Sequence, residues 1–420
     1  MQHKRPSHLE DALTSALARR SSQATIRRLT VNHTNAIDFS SNDFLSLSIS
    51  AELRRLYLEE LQTAPTQGQL GSGGSRLLDG NSTYAERLEQ TIAEFHQAES
   101  ALLCNSGFDA NVGIFSCLPQ PGDIILYDEF IHASVHDGMR LSRASKCICF
   151  AHNDVSALRS VVNQLCLEDA ALSTGERSIF VALETVYSMD GDIAPLQEIL
   201  GALAELLPEG NAHVIVDEAH STGLFGTCGR GLVHELDLQD RFLIRLHTFG
   251  KSLAANGAAI LCSPLVREYL INYARPLIYT TFMSYPGLAA IKASYTYMQS
   301  GKTELLARSV QHLSTYLHGR LLGMEALSST HLLRAPPDCP KTPIFAILSS
   351  RPKSLATYCQ INGLTVRGIV PPTVPIGAER IRICLHAGNT FEQVDKLISV
   401  IRAWVVEQLH QEETPARPRL

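Results

Sequence analysis

The chain has 420 residues, more than one compact core usually holds, and 45% hydrophobic against 19% charged residues fits a packed two-part protein and excludes long disorder. A net charge of −6 leaves no basic surface that would invite nucleic acid or an anionic membrane. No apolar run approaches the ~18 residues of a membrane span, so a soluble, intracellular protein is expected.

Residues 7–20 have the pattern of a helix. The Arg19, Arg20, Arg27 and Arg28 cluster with its serines faintly resembles a transit peptide, but Glu10 and Asp11 favour an amphipathic opening helix. "AIDFSSNDFLSLS" (36–48) reads as a strand and turn. The glycine-rich "GQLGSGGSRLLDG" (68–80) is neither G-x-x-x-x-G-K-[ST] nor a strand-borne G-x-G-x-x-G, so a close, irregular backbone path is expected there. "STYAERLEQTIAEFHQ" (82–97) opens on Ser82 with Glu86 in the first-turn region, the signature of a capped amphipathic helix.

From 100 to 285 short apolar runs alternate with helical stretches: "SALLCN", "GDIILYD", "SIFVALE", "HVIVDEAH", "LIRLHTF" and "GAAILC". Strands apolar on both faces, alternating with helices, predict a largely parallel sheet. Past 300 a long helix and three strand-like segments, "TPIFAILSS", "LTVRGIV" and "RIRICLHA", suggest a smaller sheet, closed by the helix of "FEQVDKLISVIRAWVVEQL". The expected organisation is an N-terminal helix and strand (1–50), a large domain (51–288), a small C-terminal domain (289–410) and an exposed tail (411–420). Ten cysteines without zinc-type doublets are expected to be reduced and mostly buried, with Cys147 and Cys149, one residue apart, suiting alternating strand faces better than a metal clamp. The final Pro418-Arg419-Leu420 has the small–basic–leucine form of a peroxisomal address, which makes a peroxisomal import receptor an expected partner; without a working address the place is the cytoplasm.

In such a sheet ligands sit beyond the carboxyl ends of the strands. Three consecutive strand ends place Glu184 and Ser188, then Asp217 and His220, then Thr248 and Lys251 at that rim. Any one of them alone reads as a helix cap or a structural ion pair. Together they supply an amine able to form a Schiff base and an acid able to hold a proton on a pyridine nitrogen. "CNSGFDANVGIF" adds a helix start at Ser106 and Gly107 for a phosphate. Lysine, acid and phosphate cradle point to pyridoxal phosphate; no metal site is indicated.

With these residues in view, "GSGGSRLLDGN", "NSGFDAN", "HASVHDG", "SMDGDIAPL", "VDEAHSTGLFG", "TFGKS", "IYTTF" and "PPTVPIGAERIRICLHA" resemble the α-oxoamine synthases over residues 36–400. The resemblance implies an α/β, aspartate-aminotransferase-like fold-type I enzyme: a large, mostly parallel-sheet domain and a smaller C-terminal α/β domain. It matches Lys251 to the Schiff-base lysine and α-carbon base, Asp217 to the carboxylate on the pyridine nitrogen, and His132 to the histidine on the ring face. Ser188 and His220 match groups near the phenolic oxygen, Gly107 and Phe108 the segment beside the cofactor, and Thr248 the phosphate-binding threonine. Thr281 matches a hydroxyl reaching the neighbouring subunit's phosphate, which implies a homodimer. Asn42 and Arg382 match the grip on the amino-acid carboxylate, and Thr373 a contact in the acyl-CoA site. Arg27 is a candidate for the coenzyme A end. His136 is left as structural, and Arg380, two residues from Arg382, is expected to face the opposite way on a strand, at the surface.

Within the family "AHNDV", "SMDGDIAPL", "LIYTTF" and "PPTVP" are most similar to the branch that serves biotin formation. The expected reaction is a decarboxylative condensation of an L-amino acid, alanine, with an acyl-CoA, pimeloyl-CoA. Arg76 in "GGSRLLDG" is closer to the aminolevulinate branch, so a sibling synthase using glycine or serine with another acyl-CoA stays open. A non-catalytic partner subunit or a plain binding protein fits less well, because Lys251, Asp217 and His220 are all present.

Overall fold

The computed structural model describes residues 7–23, 25–31, 35–63, 69–324 and 331–413, so Pro418-Arg419-Leu420 lies outside the described residues. The opening helix, His8–Ser22, starts at a capping box in which Ser7 Oγ accepts from the Glu10 amide at 3.3 Å and Glu10 accepts from the Ser7 amide at 2.6 Å. Its leucines recur at Leu9, Leu13 and Leu17, as an amphipathic helix requires, but the helix buries none of its residues. Arg27 lies beyond its end and is exposed. The two-residue β1 (Ile37–Asp38) then enters the C-terminal part of the molecule.

The large sheet is built from β2 (Ser100–Cys104), β3 (Ile124–Asp128), β4 (Lys146–Phe150), β5 (Ile179–Glu184), β6 (Ala212–Asp217), β7 (Ile244–Thr248) and β8 (Ala258–Cys262), in the order β2-β8-β7-β6-β5-β3-β4. Only β8 runs against its neighbours, β2 and β7; the rest pair in parallel. The apolar runs alternate between two cores, as the two-residue period of a strand demands. Leu126, Val181 and Val216 pack under the helices Val155–Glu168 and Leu196–Leu206, while Ile125, Ala182 and Ile215 pack under Gly107–Cys117. The predicted helix at Ser82 spans Thr83–Phe95, with Ser82 Oγ accepting from the Ala85 amide at 3.1 Å. The glycine-rich segment does take a close backbone path: a Cβ on Gly80 would lie 2.0 Å from the Gly74 carbonyl oxygen.

The smaller sheet holds β9 (Leu333–Arg334), β10 (Ile344–Ser349), β12 (Arg367–Ile369) and β13 (Arg380–Cys384) in the antiparallel order β12-β13-β10-β9, and β11 (Leu364–Thr365) pairs with β1. Phe39, Trp404, Phe345 and Ile383 share its core with the long helices Lys302–Leu322 and Phe391–Glu413. The helix Tyr285–Gln299 straddles the expected boundary at 288, and its Leu288, Ile291 and Tyr295 pack with Leu103 and Phe249 of the large part.

Two expectations fail here. Arg380 is not at the surface but 3% exposed and ion-paired with Asp190, with Nε 2.8 Å from the Ala378 carbonyl. Residues two apart on a strand share a face, so Arg380 points the same way as Arg382. The same period puts Cys147 and Cys149 together on one face of the edge strand β4, where both are exposed; five of the ten cysteines are buried.

Candidate active site

β5, β6 and β7 end side by side. Glu184 is the register partner of Asp217, and Thr248 lies two residues past Leu246, which pairs with Asp217. Three residues further on, Lys251 aims its amine at the same rim, with Nζ 2.8 Å from His220 Nε2. The lysine keeps some accessible surface. Desolvation nonetheless lowers its pKa, against the opposing pull of Asp217 and Glu184. Burial likewise holds His220 well below the usual histidine range, with Lys251 and Arg382 adding to the effect, so the imidazole is neutral beside the amine. Its Nδ1 is buried without a hydrogen-bond partner. Burial and the nearby Asp217 push the Glu184 carboxyl well above the usual carboxylate range, which favours its protonated form.

Asp217 is fixed from two sides. Its Oδ1 accepts from the Ala219 amide at 2.9 Å and its Oδ2 from Asn111 Nδ2 at 2.9 Å. The same Asn111 amide donates to Ser134 Oγ at 3.0 Å, and Ser134 Oγ lies 2.8 Å from His132 Nδ1. Two buried side chains, Asn111 and Ser134, thus tie the carboxylate to the imidazole. His132 caps the helix Ala133–Arg140 through Nδ1, leaving its ring exposed at the rim, and partial burial lowers its pKa. Asn111 and Ser134 were not among the residues singled out from sequence. Asn111 sits four residues after Gly107, one helical turn along the same face, which is a signal the pattern carries.

The helix Gly107–Cys117 begins at the rim with Ser106 as its cap, its Oγ accepting from the Asp109 amide at 3.0 Å. A Cβ on Gly107 would sit 2.2 Å from Thr248 Oγ1, so only glycine lets the helix start approach the threonine hydroxyl. On the other side, Arg382 donates from Nη2 to Asn42 Oδ1 at 2.9 Å and from Nε to the Ser188 carbonyl at 2.5 Å. Ser188 therefore meets Arg382 through its backbone. Phe108 is 44% exposed with its ring 6.4 Å from that of His132. Thr281 and Thr373 are both exposed: the Thr281 carbonyl accepts from Asn105 Nδ2 at 2.7 Å, beside the start of the Gly107 helix, whereas Thr373 lies on a loop after Val370 with no side-chain bond to the cluster.

The arrangement fits pyridoxal phosphate. A desolvated amine of lowered pKa, a carboxylate held for a ring nitrogen, an imidazole at the open face and a helix start pressed against a hydroxyl are the groups this cofactor needs. Among the described residues no cluster of histidine, cysteine or carboxylate side chains has metal-site geometry, and no helix is long and apolar enough to cross a membrane.

A mostly parallel seven-stranded sheet with these groups at its carboxyl rim defines a fold-type I pyridoxal phosphate-dependent transferase. The chain belongs to the aminotransferase class I and II family, whose pattern it matches over residues 34–401, and within that family to the α-oxoamine synthases, acyltransferases that depend on pyridoxal phosphate. It is 52% identical over 401 residues, 95% of this chain and 97% of the other, to 8-amino-7-oxononanoate synthase of Emericella nidulans. It is 40% identical over 425 residues, 97% and 88% of the two chains, to the aminoacyl transferase sphA of Aspergillus fumigatus. Among solved structures, 8-amino-7-oxononanoate synthase of Francisella tularensis superposes with a TM-score of 0.69 at 27% identity, covering 90% of this chain and 100% of that one. Serine palmitoyltransferase of Sphingomonas wittichii shares the fold, with a TM-score of 0.81 at 24% identity over 97% and 100% of the chains.

Proposed function

We propose that this enzyme condenses L-alanine with pimeloyl-CoA, releasing coenzyme A and carbon dioxide and forming 8-amino-7-oxononanoate for biotin synthesis. The observation that carries this reading is the 52% identity, along 95% of the chain, to a protein of that activity. Pyridoxal phosphate, when bound, supplies a ring that draws electrons from the amino acid's α-carbon. The chain's own residues would do the rest. Arg382, steadied by Asn42 and the Ser188 carbonyl, presents its guanidinium to the substrate carboxylate, a planar match that lysine cannot reproduce. Lys251, its amine kept neutral more readily by its lowered pKa, takes the α-proton and later returns it.

Asp217 would hold the proton on the ring nitrogen, and His132 would pack on the ring face. His220 and Ser188 would border the phenolic oxygen. Gly107 and Phe108 would lie beside the cofactor, with Gly107 and Thr248 at its phosphate end and Thr281 reaching the phosphate of a second copy in a homodimer. Thr373 would meet the acyl-CoA. The C-terminal Pro418-Arg419-Leu420 would direct the enzyme to the peroxisome, where chain shortening yields dicarboxylic acyl-CoA; a reporter carrying this tail should enter peroxisomes and lose that location when the tail is cut.

Expression in a biotin-requiring bacterial strain that lacks this condensation tests the reaction itself. Growth without biotin is the expected result, and failure to grow despite soluble, cofactor-loaded protein would reject it. The 40% identity to the aminoacyl transferase of Aspergillus fumigatus favours, as the second reading, a sibling condensation of another amino acid with another acyl thioester.

A further inference from the structure

Directly beneath the loop that carries Asp217 and His220 lies a second polar cluster that the reaction does not use. Glu218, Ser221, Thr222, His247 and His96 are buried to 1% exposure or less. Glu218 Oε2 accepts from Ser221 Oγ at 2.6 Å and from the Val233 amide at 3.2 Å, but its Oε1 has no partner. His247 Nε2 also has no partner, and it lies 3.5 Å from that same Oε1. Two buried orphans thus face one another, just outside hydrogen-bond distance.

Counting protons decides what stands between them. Thr222 has one hydroxyl proton, and it is donated to the Glu218 carbonyl at 2.7 Å. The 2.8 Å contact between Thr222 Oγ1 and His247 Nδ1 therefore requires Nδ1–H to be the donor. Neutral His247 then turns a lone pair from Nε2 towards Glu218. If Glu218 were an ordinary carboxylate, two acceptors would face each other in a dry interior, which costs the full desolvation of both. We propose that Glu218 and His247 share one buried proton, and that this protonated pair braces the segment from Asp217 to Thr222 beneath Lys251.

The surroundings agree. Burial pushes the Glu218 carboxyl up to about 7, with the Ser221 and Val233 bonds and Arg245 opposing, and burial holds His247 well below the usual histidine range. His96 lies against His247 with ring centres 3.9 Å apart and planes tilted by 32°, and has both nitrogens occupied, Nδ1 by the Arg230 carbonyl at 3.1 Å and Nε2 by the Tyr295 hydroxyl at 3.0 Å. Arg245 spends its Nη1 and Nη2 on the His96 and Gln97 carbonyls, and Asp240 is the other charge that bears on it. A Cβ on Gly231 would lie 2.4 Å from Glu218 Oε2, so the wall behind the carboxyl is closed. Thr185 Oγ1 donates to Ser221 Oγ at 2.9 Å and its amide to the Asp217 carbonyl at 3.0 Å, which carries the brace to the rim. The role does not depend on which amino acid or acyl thioester the enzyme takes.

Proton linkage in Glu218→Gln tests the shared proton. Between the unfolded pKa values of 4.5 for glutamate and 6.5 for histidine, the folded pair holds one proton and the unfolded pair also holds one, so the pair adds no pH dependence to wild-type stability. In Glu218→Gln the folded pair holds none while unfolded histidine holds one. The variant's denaturation stability, measured on the cofactor-loaded protein, should therefore rise with pH by one proton more steeply than wild type across that window. Parallel curves would overturn the shared proton.

The bracing role has its own readout. Glutamine can donate to His247 and accept from Ser221, so Glu218→Gln should keep pyridoxal phosphate affinity. Glu218→Leu should weaken it by about tenfold or more, the equivalent of one lost buried hydrogen bond. Equal affinities in the two variants would overturn the brace. If Glu218→Gln does not fold, histidine nitrogen NMR of the wild type decides, with the His247 signal identified by its loss in His247→Gln. A hydrogen-bonded Nε2 from pH 5 to 6.5 supports the pair, and a free lone pair at Nε2 refutes it.

Discussion

Replacing Gly107 by alanine puts a methyl carbon 2.2 Å from Thr248 Oγ1 and 3.3 Å from both Thr248 Cβ and Cγ2. The glycine itself has an ordinary helical backbone, so contact alone decides the outcome. To reach an ordinary separation of 3.4 Å, either the first turn of the helix Gly107–Cys117 retreats by about 1.2 Å or the threonine rotates its hydroxyl away. Overpacking of this kind costs about 1–3 kcal/mol of stability. Either escape also moves a donor from the proposed phosphate position. A hydrogen bond to a charged group is worth about 1.5–3 kcal/mol, so pyridoxal phosphate affinity should fall about 10- to 150-fold.

The assay is titration of cofactor-depleted protein with pyridoxal phosphate, followed by absorbance, alongside thermal unfolding. Thr248→Ala supplies the control: it removes Oγ1, so adding Gly107→Ala to it should cost little further stability while affinity stays low. A Gly107→Ala protein with wild-type affinity and unchanged Tm would show that the phosphate does not sit at this helix start.

Lys251→Ala should still bind pyridoxal phosphate but lose the absorbance that marks its bond to the lysine; an unchanged spectrum would mean that another amine holds the cofactor. Arg382→Lys should raise KM for the amino acid by about tenfold or more with a smaller effect on KM for the acyl-CoA, because a two-pronged clamp becomes a point charge; KM for the amino acid at the wild-type value would displace the carboxylate site. Away from the site, His152 lies 2.7 Å from both Asp128 and Asp192; burial opposes its charge, but these two bonds outweigh it and push its pKa up to about 10. A raised folded pKa gives stability that is present below the unfolded value of 6.5 and lost as pH rises through about 10. His152→Gln should remove that alkaline decline, and identical pH–stability curves for the two proteins would refute the ion pairing.

Much of the site could be read from the chain because its chemistry sits at the ends of apolar runs. Asp217, Glu184 and Thr248 each close a strand whose burial is visible in the letters, and Lys251 follows among small residues. The supporting shell was not legible in the same way. Asn111 and Ser134 meet only because the Gly107–Cys117 helix lies against Ala133–Arg140, a tertiary contact that no local pattern announces. His247 is on β7 and Glu218 is the first residue past the end of the adjacent β6, so their orphaned atoms appear only once those strands are paired. Arg380 shows a different limit: its expected place is the face opposite Arg382, whereas the strand's two-residue period puts both on one face and Asp190 pairs with its charge there. The opening helix has its leucine row and its caps as the sequence requires, yet a helix pattern does not say what the row will cover.

The most direct test of the proposed reaction is thiol release from pimeloyl-CoA by the purified, cofactor-loaded enzyme, with alanine, glycine and serine supplied in parallel and products weighed by mass spectrometry. Release with alanine, giving a product of the mass of 8-amino-7-oxononanoate, is the expected result. Release only with glycine or serine, or no release from pimeloyl-CoA while another acyl-CoA is consumed, would contradict it and assign the enzyme to a sibling condensation.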